Sequence, residues 1–356
     1  MIVSENMDFN KKIEKIEEII KNKKVIISFS GGADSTLISY FAKKYSSNVK
    51  TITFDNGIMG DDFLESLNKV ISYLNIDNTI IKENLLKNKK FIENKEDRCF
   101  ICRNKMYSMI FEYIKDEEYD ILIDGTNITD LLEDRPGLMV NYEKGIISPF
   151  VIAGLEKEEI LNFLMENNIP FSKSTSCLGT RIAKGEKINM KKINMIKYSE
   201  NFIKHLTKSD YVRVRTINET GIIELDNIEP LLSKDTLKLV ENELKGVNFK
   251  KIALNIEFQK ENKNELVIYK PCKDEANKIM FENELPYNIN IEETCENLKA
   301  IGEVKCSSKM GVGMLEIDGK NITFFEKGKI VARKVENKEN AKNLLIKVLP
   351  LIRRKL

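Results

Sequence analysis

The chain has no tryptophan and one histidine, His205, in 356 residues. A lone histidine argues against a Ser-His-Asp triad, a Cys-His dyad and any multi-histidine metal site. Charge of one sign is also missing. Lys+Arg number 57 and Asp+Glu 55, a net +2, so there is no electrostatic case for nucleic acid as a partner. The Arg353-Arg354-Lys355 tail is too short to change that. No long apolar run exists: Ile146 to Leu155 is broken by Ser148 and Pro149 and cannot span a bilayer. Met1 to Lys24 is charged and lacks the apolar core of an export signal. The expectation is a soluble cytoplasmic protein whose six cysteines are free, metal-bound or catalytic rather than paired.

What is present is organised as alternating strands and helices. Residues 8–22 read as an amphipathic helix through Ile13, Ile16, Ile19 and Ile20. Lys24 to Phe29 is a buried strand, and Leu37, Ile38, Phe41 and Ala42 then recur at helical spacing. A second strand, Val49 to Phe54, ends in the turn Asp55-Asn56-Gly57. A helix over Phe63 to Leu74, a strand near Asn78 to Ile81 and a strand over Tyr119 to Ile123 follow. This order predicts an α/β domain, a doubly wound parallel sheet with ligands at the carboxyl ends of its strands, over residues 1–183. A small α+β domain over 184–258 is expected from strands at Val212–Thr216, Gly221–Leu225 and Lys251–Phe258 around a helix at Leu232–Leu244. The polar run Gln259–Glu265 reads as a linker to a further α+β domain over 259–356, with a meander and a closing helix at Lys338–Leu349.

Between the first strand and its helix lies Ser30-Gly31-Gly32-Ala33-Asp34-Ser35. Two glycines permit a tight turn and close approach to a ligand. The N–H groups from Gly31 to Ser35 then form an anion nest at a helix start. Ser30 and Ser35 add hydroxyls, and Asp34 is placed to brace the loop or to hold Mg²⁺ on the phosphates. No Gly-Lys-Ser/Thr follows, so this is not a Walker A loop. The loop resembles that of the PP-loop ATP pyrophosphatases, which implies cleavage of ATP between its α and β phosphates. Asp55, Gly125 and Thr126 close the neighbouring strands and are expected to meet the same nucleotide.

Cys99 and Cys102 form a Cys-x-x-Cys, spaced to chelate a metal or cluster or to act as a redox dithiol, while Cys177 stands alone. With their neighbours they make ordered segments: RCFICRNKMY, DGTNITDLLEDRPG, SPFVIAGLEKEEI, SCLGTRIAKGEKI and VRVRTINETGIIEL. This series resembles the LarE sulfur transferases over about residues 10–258. The resemblance implies adenylation of a pyridinium-3,5-biscarboxylate mononucleotide and replacement of oxygen by sulfur. It puts Cys177 at the sulfur-donor position and, with Cys99 and Cys102, implies the three-cysteine branch. There a [4Fe–4S] cluster with one open iron could carry a hydrosulfide. Cys177 and Asp34 are thus the candidate catalytic residues. Arg213 and Arg215 alternate on one strand and face one side. With Thr180 and Arg181 they match the family's substrate-phosphate site. The bland alternative is pairing with Glu219 or Glu224. Glu200 has a family counterpart, against a solvated helix charge, and Asp130, Asp134 and Arg135 belong to a shared stretch without an assigned role.

The resemblance stops at residue 260. Cys272, Cys295 and Cys306 have no compact spacing, so free thiols are expected there, in a module for interaction or homo-oligomerisation. Gly179-Thr180 replaces the family's Ala-Ser. The implied partners are a nucleotide acceptor and a sulfide donor. Rival readings are a tRNA thiolase of the same class and a non-catalytic iron–sulfur or nucleotide-binding protein.

Overall fold

The computed structural model describes residues 2–172, 176–209, 211–256, 268–271, 279–336 and 338–355. The chain divides into two compact units, one of Ile20–Gly125 and Leu161–Asn262, the other of Met1–Ile19, Thr126–Ile160 and Lys263–Leu356.

The first unit is built on a parallel sheet of four strands, β1 (Lys24–Ser28), β2 (Asn48–Asp55), β3 (Asp77–Lys82) and β4 (Ile121–Ile123), in the order β3-β2-β1-β4. Val25, Ile26 and Ile27 are buried in β1, as befits a central strand covered on both faces. The helix Ala33–Tyr45 buries Leu37, Ile38, Phe41 and Ala42, the stripe expected from their spacing. The helix Phe63–Leu74 ends where expected, because Asn75 takes a left-handed φ of 49° and donates its N–H to the Ile71 carbonyl. Strand β4 starts at Ile121 rather than Tyr119, since the Asp120 carboxylate accepts the Lys24 N–H at 2.6 Å.

The same unit holds a second sheet of β5 (Val212–Ile217), β6 (Thr220–Leu225) and β7 (Lys251–Leu254). Strands β5 and β6 form an antiparallel hairpin, and β7 pairs parallel to β6. Asn218 and Glu219 turn the hairpin at positive φ, 47° and 64°. Val212, Val214, Ile223, Val240 and Leu244 make its core with the helix Lys234–Gly246. Strand β7 stops at Leu254, and the expected end at Phe258 lies outside the described residues.

The other unit carries six strands, β8 (Ile268–Pro271), β9 (Ile279–Glu284), β10 (Glu303–Ser307), β11 (Val312–Ile317), β12 (Lys320–Phe325) and β13 (Lys329–Val335), in the order β10-β11-β12-β13-β9-β8. Its core joins distant parts of the chain. Leu131, Leu132, Leu138 and Val151 are buried in one cluster with Phe281, Phe324, Leu345 and Val348. The N-terminal helix runs from Ile2 to Ile20, longer than the sequence pattern suggests, since no proline or glycine interrupts residues 2–8.

The expectation of free thiols in the C-terminal part fails for two of them. Cys295 and Cys306 form a disulfide, their Cα atoms 6.3 Å apart. The helix Ile291–Leu298 packs on edge strand β10, which brings buried Cys295 against exposed Cys306 within bridging range. Sequence spacing alone hides that fold-back. The linker Gln259–Glu265 and Cys272 lie outside the described residues.

Candidate active site

The Ser30–Ser35 loop leaves the carboxyl end of β1, with neighbours β2 and β4 on either side. Gly31 turns it at φ +75°, a conformation open to glycine. Gly32 is the helix N-cap, extended at φ −73° and ψ 167°. The loop is braced from within. The Ser35 hydroxyl donates to the Gly32 carbonyl at 3.1 Å and accepts the Ser30 N–H at 3.2 Å. Thr36 Oγ1 donates to the Gly31 carbonyl at 3.3 Å. From the far side, Ser172 N–H donates to the same carbonyl at 2.8 Å. Asp34 is half-buried at the first turn of the helix, the end whose dipole favours an anionic ligand.

Gly125, after β4, presses against this loop. A Cβ there would stand 2.6 Å from the Asp34 carbonyl carbon and 2.7 Å from the Ser35 nitrogen. Only glycine permits that approach. The preceding Asp124 is buried, and its carboxylate accepts from Tyr107 Oη at 3.1 Å and pairs with Arg103. Burial first, then the Asp124 charge, drives the Tyr107 phenol well above its ordinary value. Arg103 and Tyr107 lie on the helix Arg98–Ile114, so the cysteine motif is tied to the end of β4. Asp55, at the end of β2, accepts the Gly57 N–H at 3.0 Å and so shapes its own turn. Thr126 belongs to the other compact unit, where Asn141 Nδ2 lies 3.5 Å from its Oγ1.

The structure gathers the three cysteines of the motif segments, all free thiols and each half-buried. Cys99 and Cys102 are one turn apart on the helix Arg98–Ile114. Cys177 caps the short helix Leu178–Arg181. Burial, then Cys177 and Cys99, push the Cys102 thiol up to about 12, with the Asn56 side chain opposing through a hydrogen bond. The Cys177 thiol is also raised, by burial and by Cys99, against Arg98 and the N–H groups of Gly179 and Thr180. Among the described residues, no group of three or more His, Cys, Asp or Glu is gathered as a single-ion site. Buried Arg98 joins the two cysteine segments, donating to Asn94 Oδ1 at 2.5 Å and to the Gly179 carbonyl at 3.0 Å. Asn94 Nδ2 in turn donates to the Ala183 carbonyl at 2.8 Å. Neither residue's bracing role could be read locally, since each reaches a partner more than 80 positions away. A Cβ on Gly179 would meet Ile58 at 3.2 Å and the Cys177 sulfur at 3.6 Å, so there is little room for the alanine of the resembling family.

Arg181, Arg213 and Arg215 come together. Arg181 is buried and donates to Glu200 Oε1, Ser176 Oγ and Thr180 Oγ1, each at 2.8 Å. Glu200 is no solvated charge: it is buried and also accepts the Val214 N–H at 3.0 Å. Arg215 pairs with Glu224 at 2.7 Å, as the bland alternative has it, and donates to the Thr180 carbonyl at 3.2 Å. Arg213 has no ion pair among the described residues. Its Nε is buried without a partner, and its guanidinium lies 4.7 Å over the Tyr211 ring. Burial, then Arg181 and Arg215, lower its pKa. In the other unit Asp130 pairs with Arg135 at 2.8 Å and Asp134 pairs with Arg354, contacts internal to that unit. No helix among the described residues is long and apolar enough to cross a membrane.

Residues 24–96 match the model of queuosine biosynthesis protein QueC. The chain is 28% identical over 136 residues to a glutamine-hydrolysing GMP synthase component of Methanosarcina barkeri, covering 38% of this chain and 45% of that one. It is 25% identical over 252 residues to uncharacterized protein slr1717 of Synechocystis, covering 69% and 94%. It is 30% identical over 260 residues to uncharacterized protein MJ0830 of Methanocaldococcus jannaschii, covering 71% of this chain and 98% of that one. The parallel sheet, the glycine loop on its central strand and these matches define a protein of the PP-loop superfamily, ATP pyrophosphatases that do nucleotide chemistry with ATP. Within it, the chain belongs to the family of the Methanocaldococcus protein MJ0830.

Proposed function

We propose that the chain is an ATP-dependent sulfur transferase of the LarE type. The observation that carries this reading is the meeting of Cys99, Cys102 and Cys177 beside the turn that ends β2. Asn56 of that turn bonds Cys102, and the Ile58 carbonyl accepts the Leu178 N–H at 2.9 Å. Three thiols serve no purpose in splitting ATP. Beside an adenylating loop they suit the second half of the reaction, the exchange of oxygen for sulfur.

Each step falls to particular residues. The N–H groups of Gly31 to Ser35 hold the phosphates of ATP, with Mg²⁺ beside Asp34. A carboxylate oxygen of the acceptor attacks the α-phosphorus, and pyrophosphate leaves. The acyl adenylate now has a leaving group that the free carboxylate lacks. A sulfur nucleophile adds to the carbonyl carbon, the C–O bond to AMP breaks, and a thiocarboxylate remains. The arginine group orients the acceptor through its phosphate.

The donor set suits an iron–sulfur cluster in kind and number, all thiol with no histidine or carboxylate. Cys102 feels both other thiols and Cys177 feels Cys99, yet the three do not converge as a single ion requires. A [4Fe–4S] cluster on Cys99, Cys102 and Cys177 would supply the transferred sulfur and spare the protein's own. The raised pKa values of Cys102 and Cys177 also fit a site that becomes anionic only with a bound cation.

The test is to incubate anaerobically purified protein with ATP, sulfide and the pyridinium-3,5-biscarboxylate mononucleotide. AMP and a thiocarboxylate should form together, and mass spectrometry should find Cys177 intact. AMP without sulfur in the product would overturn the reading. Loss of the Cys177 sulfur would make the transfer sacrificial.

A further inference from the structure

The bridge between Cys295 and Cys306 lies beyond residue 258, where the resemblance ends, so any work it does is added to that of the site above. Its two sulfurs are not equivalent. Cys295, on the helix Ile291–Leu298, is 3% exposed, while Cys306 is exposed on edge strand β10. Across the ladder from Cys306 stands Gly313 of β11, where a Cβ would lie 3.0 Å from the Cys295 sulfur. The missing side chain lets the helix thiol reach over the strand. A stabilising staple has little to do here. The core already runs through Phe281, Leu315, Phe324, Leu345 and Val348, and the bridge spans only 11 positions, so it constrains the unfolded chain less than a long loop would. A permanent bridge also sits badly with three free thiols in the same chain, which need reducing surroundings. A buried thiol bonded to an exposed one suits a pair that opens and closes by exchange, in which a reagent meets only the outer sulfur.

We propose that Cys306 is a persulfide acceptor and Cys295 the thiol that discharges it, so that this part of the chain releases the sulfide used in sulfur transfer. The use of that sulfide rests on the reading above. In the dithiol form, the Cys306 thiolate attacks the outer sulfur of a low-molecular-weight persulfide, RSSH. That sulfur moves to Cys306 as Cys306-S-SH, and RSH leaves. The Cys295 thiolate then attacks Cys306 Sγ, the S–SH bond breaks, and hydrosulfide leaves and takes up the proton given up by Cys295. The two cysteine sulfurs are oxidised to the bridge, and the transferred sulfur is reduced to sulfide. A dithiol reductant restores both thiols by exchange. The Cα atoms, 6.3 Å apart, already stand at bridging distance, so the second attack needs no movement of helix or strand. Burial decides the order of events, because only Cys306 is open to the donor.

The experiment reduces the full chain with a dithiol, removes the reductant anaerobically and adds glutathione persulfide. Hydrogen sulfide and peptide masses are followed for the parent, Cys295→Ser and Cys306→Ser proteins. Cys99, Cys102 and Cys177 are common to all three, so differences belong to the pair. The parent should release more hydrogen sulfide than either variant, while its bridge between Cys295 and Cys306 re-forms. Cys295→Ser should keep one extra sulfur atom on the Cys306 peptide. Cys306→Ser should gain none on the Cys295 peptide. The assignment is overturned if the parent releases no more hydrogen sulfide than Cys306→Ser, as a purely structural bridge requires. It is also overturned if folded Cys295→Ser takes no sulfur at Cys306. Should the buried substitution unfold the chain, the parent against exposed Cys306→Ser still decides. Failure of the sulfur-transfer reading would look different: hydrogen sulfide would still leave through Cys306 while no acceptor ever gained sulfur.

Discussion

Replacing Gly125 with alanine tests whether the end of β4 sets the shape of the ATP loop. The new Cβ would lie 2.6, 2.7 and 2.8 Å from the Asp34 carbonyl carbon, the Ser35 nitrogen and the Asp34 carbonyl oxygen. All three are backbone atoms, so no side chain can swing aside. Ordinary contact begins at 3.4 Å, so the two segments must part by most of an ångström. Overpacking of this kind costs about 1–3 kcal/mol of stability. The functional loss should be larger. A hydrogen bond to a charged acceptor contributes about 1.5–3 kcal/mol, so misaligning two of the loop's N–H donors weakens ATP by roughly a hundredfold. Equilibrium dialysis with ATP measures this, and thermal unfolding shows whether the protein is still folded. Gly246→Ala, where a Cβ meets nothing within 4 Å, is the control and should leave ATP binding unchanged. Parent-like ATP affinity in Gly125→Ala would refute the reasoning, because the loop would then tolerate displacement.

Glu200→Ala leaves Arg181 buried without its carboxylate, the two side chains being 3% and 9% exposed in the pair. Urea unfolding should show a loss of about 3–5 kcal/mol, and a loss below about 1 would mean the pair is dispensable. Cys102 gives a pH signature in reduced, cluster-free protein. Its folded pKa, near 12, stands above the ordinary 9.0, so the folded state keeps a proton that the unfolded chain surrenders. That stability is fully present below pH 9 and drains as pH rises toward 12, by up to roughly 1.4 kcal/mol per pH unit. Between pH 8 and 10 the parent should therefore lose roughly 1 kcal/mol more than Cys102→Ser. Parallel losses would count against a buried thiol.

Local signals are legible in the sequence. The β-branched run of β1, the glycines after it and the stripe of the next helix each act within a few residues. So does the hairpin of β5 and β6, where alternation puts Arg213 and Arg215 on one side. The hidden features need partners distant in sequence. Nothing near Glu200 announces that its carboxylate binds Arg181, 19 residues away, or that Arg213 Nε is buried without a hydrogen-bond partner. The Asp124 carboxylate, at the end of a sheet strand where ligands gather, is engaged instead by Arg103 and Tyr107 from another helix. Cys295 and Cys306 escape a sequence reading for the same reason, since a helix must fold back on a strand before they can meet.

The core shared by Leu131, Leu132, Leu138 and Val151 with Phe281, Phe324, Leu345 and Val348 has a consequence in time. On the ribosome the first group emerges almost two hundred residues before the last of the second. At about 5–20 residues per second, the wait is on the order of ten to forty seconds. Until Phe281 is made those residues have no companions from the C-terminal part, and only Leu161–Asn262 of the loop-bearing unit is made in the interval. The nascent chain therefore carries an incompletely covered apolar seam until the helix Lys338–Val348 is synthesised.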